Sequence, residues 1–107
     1  MEMNIKKKTL KESFIEALVN YNKKDFKTAE IFCYKILSID PYHFDSISLL
    51  ASINAINRDY EKAKELMLKA VEIQPKNTSS LNNLGTAYRE LGNPKEAIRI
   101  YKKILEI

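Results

Sequence analysis

Side chains able to do chemistry are few in this sequence. Among 107 residues there is one histidine, His43, and one cysteine, Cys33. A general base needs an orienting partner and a metal ion needs several ligands. Asp40 and Asp45 lie near His43 but suit helix ends better, so we expect His43 to be a turn residue. No zinc-ligand spacing, phosphate loop or dinucleotide motif occurs. The sequence therefore predicts no catalytic residues, no metal, no cofactor and no enzymatic activity.

Composition narrows the class of protein. Two Gly and three Pro leave little material for the turns of a β-sandwich, whereas 45% hydrophobic residues are enough for a core. The net charge of +4 is dispersed, and the run Lys6-Lys7-Lys8 is expected to be a solvated tail, so we expect no nucleic-acid partner. No apolar run is long enough for a membrane span, and we expect no membrane partner. A lone cysteine, Cys33, favours a reducing compartment and thus a cytoplasmic location.

The sequence contains an internal repeat of 34 residues, and this repeat predicts the secondary-structure elements that would position a functional site. Prolines 41 and 75 are separated by this interval, and so are several columns of small and apolar residues. The columns are Ala17, Ala51 and Gly85; Ala29, Ala63 and Ala97; Phe26, Tyr60 and Pro94; Leu37, Val71 and Leu105; Ile39, Ile73 and Ile107. Three copies of one unit follow, at 10–43, 44–77 and 78–107, behind a tail or helix extension at 1–9.

Each copy is predicted to hold two helices. Apolar residues recur every three or four positions on both sides of a polar break such as Asn57-Arg58-Asp59. Capping sequences begin the helices, as in Thr9-Leu10-Lys11-Glu12 and Asn93-Pro94-Lys95-Glu96. We therefore expect an all-α single domain over 10–107 with about six antiparallel helices.

The small-residue columns are expected to allow close approach of the two helices in each copy. Ala17 should then meet Ala29, Ala51 should meet Ala63, and Gly85 should meet Ala97. Cys33 falls in an apolar column with Met67 and Tyr101, so we expect it to be a buried hydrophobe.

These residues carry a resemblance to a known family. Leu84-Gly85, Tyr88, Ala97, Tyr101 and Ile104 in the third copy, with Leu50-Ala51, Ala63, Ala70 and Pro75 in the second, resemble the tetratricopeptide repeat. The resemblance covers 10–107 and implies a right-handed α-solenoid of three repeats. Ser13, Glu16 and Asn20 of the first copy depart from the family pattern, which suits a terminal, capping repeat.

The family resemblance also implies a function. Its members hold extended peptides or partner segments in a concave groove lined by the first helices, and we expect a protein or peptide partner here. Chaperone-binding members of the family bind a terminal carboxylate through side chains at set positions. Of the equivalent positions in this sequence, only Asn83 carries a suitable residue. We therefore do not expect this carboxylate-terminated kind of partner. The groove residues expected by register are Lys11, Phe14, Leu18, Tyr21, Ser48, Ser52, Asn82, Asn83, Thr86 and Arg89.

Two further hypotheses remain open. The stretch from Ala17-Leu18 to Leu49-Leu50-Ala51 is similar to repeats preceding bacterial sulfotransferase or glycosyltransferase domains, which implies an accessory region of a larger enzyme. Alternatively, the last helix is followed by no polar capping helix, so copies could associate as a homo-oligomer through its apolar face. The residues expected on that face are Ile98, Tyr101, Ile104 and Leu105.

Overall fold

The computed structural model of the protein describes residues 8–107, and over this range it is helical, with turns and no strand. The all-α prediction is confirmed. The predicted tail falls mostly on residues 1–7, which lie outside the described residues. The six helices are α1 (Leu10–Asn22), α2 (Phe26–Ile39), α3 (Phe44–Ile56), α4 (Tyr60–Ile73), α5 (Thr78–Glu90) and α6 (Pro94–Leu105).

The first helix of each pair begins at one repeated position, occupied by Thr9, His43 and Asn77. In all three, the side chain accepts a hydrogen bond from the backbone N–H of the residue three positions later. The donor–acceptor distances are 3.1, 3.2 and 3.0 Å. Such a bond satisfies one of the four N–H groups that a helix start leaves without a partner. At Thr9 the bond is reciprocated, because its own N–H donates to the Glu12 side chain at 2.9 Å. The prediction of His43 as a turn residue is confirmed, with its ring acting as a helix cap.

The turns inside the helical pairs also repeat. Lys24, Arg58 and Gly92 have φ angles of 66°, 62° and 79°, in the left-handed region. Each turn is closed by the two backbone bonds of a Schellman motif, as in Lys24 N–H to Tyr21 O and Asp25 N–H to Asn20 O, both 2.9 Å. Because the left-handed conformation reverses the chain within three residues, each pair is an antiparallel hairpin.

The residue that closes each turn also starts the next helix. Asp25, Asp59 and Asn93 cap α2, α4 and α6, accepting backbone N–H groups at 3.2, 3.2 and 3.4 Å. Pro94 follows Asn93 at the first helical position, as the sequence predicted, where its missing N–H costs nothing. The hydrogen bonding of these turns is therefore local.

The chain forms two compact units, one ending at Pro41 and one comprising Tyr42–Ile107. In the first unit α1 packs against α2. Ala17 and Ala29 are buried there, and so is Cys33, as predicted. A single domain over 10–107 stays a prediction.

The second unit contains four helices, each packed against the next in the chain. Its centre is made by side chains that are almost completely buried: Ile47, Leu50, Ile53, Met67, Leu81, Leu84 and Ile100. The α3 helix is buried over much of its circumference, including Asn54, whose amide donates to Leu50 O at 2.8 Å. Burial of apolar side chains from four helices gives this unit its own hydrophobic core.

Gly85 of α5 lies against a large side chain of α6. A Cβ at Gly85 would lie 2.5 Å from Cε1 and 2.8 Å from Cζ of Tyr101, so the missing side chain makes room for the Tyr101 ring. A contact between Gly85 and Ala97 stays a prediction. Ala51, Ala63 and Ala97 are buried, as small residues at close helix contacts should be.

Candidate binding face

The residues of interest on α5 share one side of the helix. Asn82, Asn83, Thr86 and Arg89, here called the α5 polar face, follow at spacings of one, three and three residues. The opposite side of α5, with Leu81 and Leu84, is buried in the core. Burial of that side fixes the rotation of α5 and turns the polar residues outward.

The side-chain amides of the α5 polar face are available for recognition. Asn82 and Asn83 are exposed, and neither amide bonds to another residue within 8–107. Arg89 is exposed, and among residues 8–107 its guanidinium forms an ion pair with its neighbour Glu90 alone, at 3.4 Å. Each amide offers donors and an acceptor, which matches the alternating groups of an extended peptide backbone.

Thr86 is already engaged within the hairpin. Its hydroxyl lies 3.0 Å from Asn82 O, to which it donates, and 3.2 Å from the hydroxyl of Tyr101. Thr86 is half-buried, whereas Asn82 and Asn83 are exposed. The contact with Tyr101 links this part of α5 to α6.

The residues expected on α3 are less accessible than those on α5. Ser48 and Ser52 are both half-buried. The Oγ of Ser48 is shut off from solvent and has no hydrogen-bond partner among the described residues. Because that hydroxyl lies beneath the surface, Ser48 has to change rotamer before a ligand can reach it.

The remaining groove residues belong to the first unit and lie along one side of α1. Lys11 is exposed, Leu18 is 38% exposed, and Phe14 is half-buried. Tyr21 packs edge-on against Phe26, with ring centroids 5.5 Å apart. The structure therefore brings the α5 residues together on one face, puts the α3 residues on another helix of the same unit, and leaves the α1 residues in the first unit.

The four residues expected on a self-association face are not equivalent. Ile98 and Leu105 are 53% and 86% exposed, whereas Tyr101 and Ile104 are half-buried. Tyr101 is turned into the hairpin by its contacts with Gly85 and Thr86. Association of copies stays a prediction.

Sequence reasoning missed the role of Tyr101, although a signal was present. Tyr101 occupies the column of Cys33 and Met67, and in the same copy Gly85 replaces the alanine of the other two copies. A larger residue in one column thus coincides with a smaller residue in the other. This exchange of volume indicates that the two columns touch.

Burial and local hydrogen bonds shift the pKa of several ionisable groups in the described chain. Burial raises the pKa of the Cys33 thiol to about 12, which keeps it protonated and unreactive at neutral pH. The hydrogen bond from Lys8 lowers the pKa of Glu16, and that from Arg99 lowers the pKa of Glu96. Residues 8–107 hold no cluster of three or more histidine, cysteine or acidic side chains able to bind a metal. None of the six helices is long and apolar enough to cross a membrane.

Solved structures share this fold. The crystal structure of MamA superposes with a TM-score of 0.86 at 21% identity, covering 92% of this chain and 57% of that one. The N-terminal domain of stress-induced protein-1 from Caenorhabditis elegans gives a TM-score of 0.80 at 16% identity, covering 91% and 82%. These likenesses show the fold alone.

Sequence comparison adds a relative and a family. The chain is 26% identical over 89 residues to the UDP-N-acetylglucosamine–peptide N-acetylglucosaminyltransferase of Caenorhabditis elegans. The match covers 83% of this chain and only 8% of that enzyme. The family model described as tetratricopeptide repeat matches residues 42–107, the whole of the second unit. With its three helical hairpins at a 34-residue interval, the chain belongs to the tetratricopeptide repeat family.

Proposed function

We propose that this chain is a protein-interaction module that holds an extended segment of a partner along the α5 polar face, and that it has no catalysis of its own. Membership of the tetratricopeptide repeat family supports the general role of binding protein. The α5 polar face supports the more specific role. The absence of catalysis is proposed because His43 caps α3 and Cys33 is a buried core residue, and neither belongs to the α5 polar face.

One observation carries the proposal: two adjacent exposed amides, Asn82 and Asn83, make no hydrogen bond within residues 8–107. An amide bound only to water exchanges one hydrogen bond for another when a peptide docks, so it gives specificity at little desolvation cost. The flanking Arg89 can donate hydrogen bonds to a carbonyl or carboxylate of the same segment. A peptide in extended conformation would present such groups at regular intervals.

The packing of α5 against Tyr101 supports use of the α5 polar face in binding. The Tyr101 hydroxyl lies 3.2 Å from that of Thr86, and the Tyr101 ring fills the space beside Gly85. A helix that is held in place before the partner arrives has less conformational entropy to lose on binding. Tyr101 therefore supports the α5 polar face from behind.

A random 12-residue peptide library displayed on phage tests the proposal, with the wild-type chain as bait. Affinities of enriched peptides are then measured by calorimetry for wild type and for the double variant Asn82→Ala/Asn83→Ala. We expect the double variant to bind about 5- to 150-fold more weakly, since two hydrogen bonds contribute about 0.5–1.5 kcal/mol each.

Asn57→Ala is the matched control, because Asn57 is also an exposed asparagine but lies at the end of α3. The control should bind like wild type, and all three proteins should show the same helical circular dichroism. Peptides that bind the double variant as tightly as wild type would refute use of the α5 polar face. Failure to enrich any peptide would count against extended-segment binding altogether.

A second candidate is supported by the transferase relative. The similarity covers 83% of this chain but only a small part of that enzyme. We propose as an alternative that the module is an accessory region of a larger transferase, in which it would position a polypeptide for modification. A transferase domain encoded in frame beside this sequence would favour this role, and its absence would contradict it. A cytoplasmic location is part of both proposals and can be tested with a fluorescent fusion.

A further inference from the structure

Two positions on the second helix of the second repeat carry a charge opposite to that of their equivalents in the third repeat. Glu61 and Glu65 of α4 correspond, 34 residues on, to Lys95 and Arg99 of α6. The α4 acidic face consists of Glu61, Glu65, Leu68 and Glu72, and the α6 basic face consists of Lys95, Ile98, Lys102 and Leu105. In each set the residues are three or four positions apart, so each lies on one side of its helix.

Charges on both faces are available to a partner. Glu65 and Glu72 of α4 are exposed and make no ion pair among the described residues, and the same holds for Lys95 and Lys102 of α6. Glu61 differs, because it pairs with Lys64 at 2.6 Å. Four unpaired charges, two of each sign, therefore remain open to contacts from outside.

Exposed apolar side chains lie among these charges. Leu68 of α4 is 43% exposed, and Ile98 and Leu105 of α6 are 53% and 86% exposed. Surface ion pairs alone contribute little to affinity. Apolar side chains can contribute by burial, while the charges set the register and orientation of the contact.

We propose that the α4 acidic face of one copy binds the α6 basic face of a second copy, and the reverse, in a two-fold dimer. The corresponding helices of successive repeats present equivalent positions to the same side of a stacked array. A second copy turned about a two-fold axis can then place α6 over α4 and α4 over α6 in one contact. Such an interface is self-complementary, as two-fold symmetry requires.

Charge complementarity selects this pairing among the possible ones. If α6 met α6, Lys95 and Lys102 would face their own copies, and like charges would repel. If α4 met α4, Glu65 and Glu72 would do the same. The crossed arrangement brings opposite charges together at both contacts, and it involves none of the four residues of the α5 polar face.

Charge-reversed variants test the dimer. Lys95→Glu/Lys102→Glu makes both faces acidic, and Glu65→Lys/Glu72→Lys makes both faces basic. Analytical ultracentrifugation of the wild-type chain over a concentration series should show a weak monomer–dimer equilibrium at low salt. Each variant alone should dimerise at least about tenfold more weakly, and an equal mixture should form a heterodimer, because only the mixed pair has opposite charges at both contacts.

Several results would overturn the proposal: a wild-type chain that stays monomeric at the highest concentration, dimerisation unchanged in either variant, or variants that do not associate when mixed. Circular dichroism checks that the variants are folded. If one is not, the salt dependence of the wild type decides, because about 1 M NaCl shortens the Debye length to about 3 Å and should weaken the dimer. Dimerisation unaffected by salt would contradict the crossed charge contacts.

Discussion

Replacing Gly85 by alanine tests the packing of the third hairpin against the local preference of its helix. In an isolated helix the change is favourable by about 1 kcal/mol, because glycine has more backbone freedom to lose on folding. Here the new Cβ would lie 2.5, 2.8 and 2.9 Å from three ring carbons of Tyr101. No carbon pair tolerates such distances, so the ring has to move.

The movement has a cost that can be estimated. Overpacking a well-filled contact costs about 1–3 kcal/mol. Displacing the ring also endangers the 3.2 Å bond between the Tyr101 and Thr86 hydroxyls, which contributes about 0.5–1.5 kcal/mol. After subtraction of the gain in helix propensity, Gly85→Ala should lower the free energy of unfolding by about 0.5–3.5 kcal/mol.

Removing the Tyr101 side chain should reverse the sign of the effect of Gly85→Ala on the free energy of unfolding. In a Tyr101→Ala background the ring is absent and only helix propensity remains, so adding Gly85→Ala should raise the free energy of unfolding by about 1 kcal/mol. Urea unfolding of the four proteins of this double-mutant cycle, followed by helical circular dichroism, gives the coupling energy. If Gly85→Ala has the same effect in both backgrounds, the contact with Tyr101 does not explain the glycine.

Other predictions concern caps, turns and the buried thiol. His43→Ala should destabilise the chain by about 1 kcal/mol in urea unfolding, because the Ser46 N–H loses its cap, whereas His43→Asn should restore most of the loss since Asn77 caps α5 in the same way. Gly92→Ala should destabilise by about 1 kcal/mol although nothing lies within 4 Å, because its φ is +79°, and Arg58→Gly at the equivalent left-handed position should not destabilise. The pKa of Cys33 is raised from 9.0 to about 12, so the unfolded chain loses its thiol proton first and the free energy of unfolding should fall as pH rises above 9. The measurement is the difference in the free energy of unfolding between wild type and Cys33→Ala as a function of pH. A difference that does not change above pH 9 would show that the thiol ionises equally in the folded and unfolded chains.

The local structure of this protein followed closely from sequence patterns. Asn93 followed directly by Pro94 predicted the start of α6, and Thr9 with Glu12 predicted the capping box of α1. Such signals work because a cap joins groups only three residues apart and does not depend on the rest of the fold. The left-handed residues were harder to foresee. Gly92 is typical of such a turn, but Lys24 and Arg58 adopt the same conformation under the two Schellman hydrogen bonds.

The candidate site could be predicted only in part. Register was enough to group Asn82, Asn83 and Arg89 on the exposed side of α5, because helical spacing fixes which residues share a face. It could not show that the Ser48 hydroxyl is buried or that Thr86 is engaged by Tyr101. Those properties depend on side chains brought close by folding.

By itself the sequence determined the 34-residue period, the starts of α1 and α6 and the apolar side of the helices. The helix starts and the apolar sides depend on residues a few positions apart. Only the tertiary structure decided that the Tyr101 ring occupies the space left by Gly85 and that Ile98 and Leu105 stay exposed while Ile104 is half-buried. The reason is physical: burial and steric fit depend on atoms from different helices, and a one-dimensional pattern does not contain the distances between them.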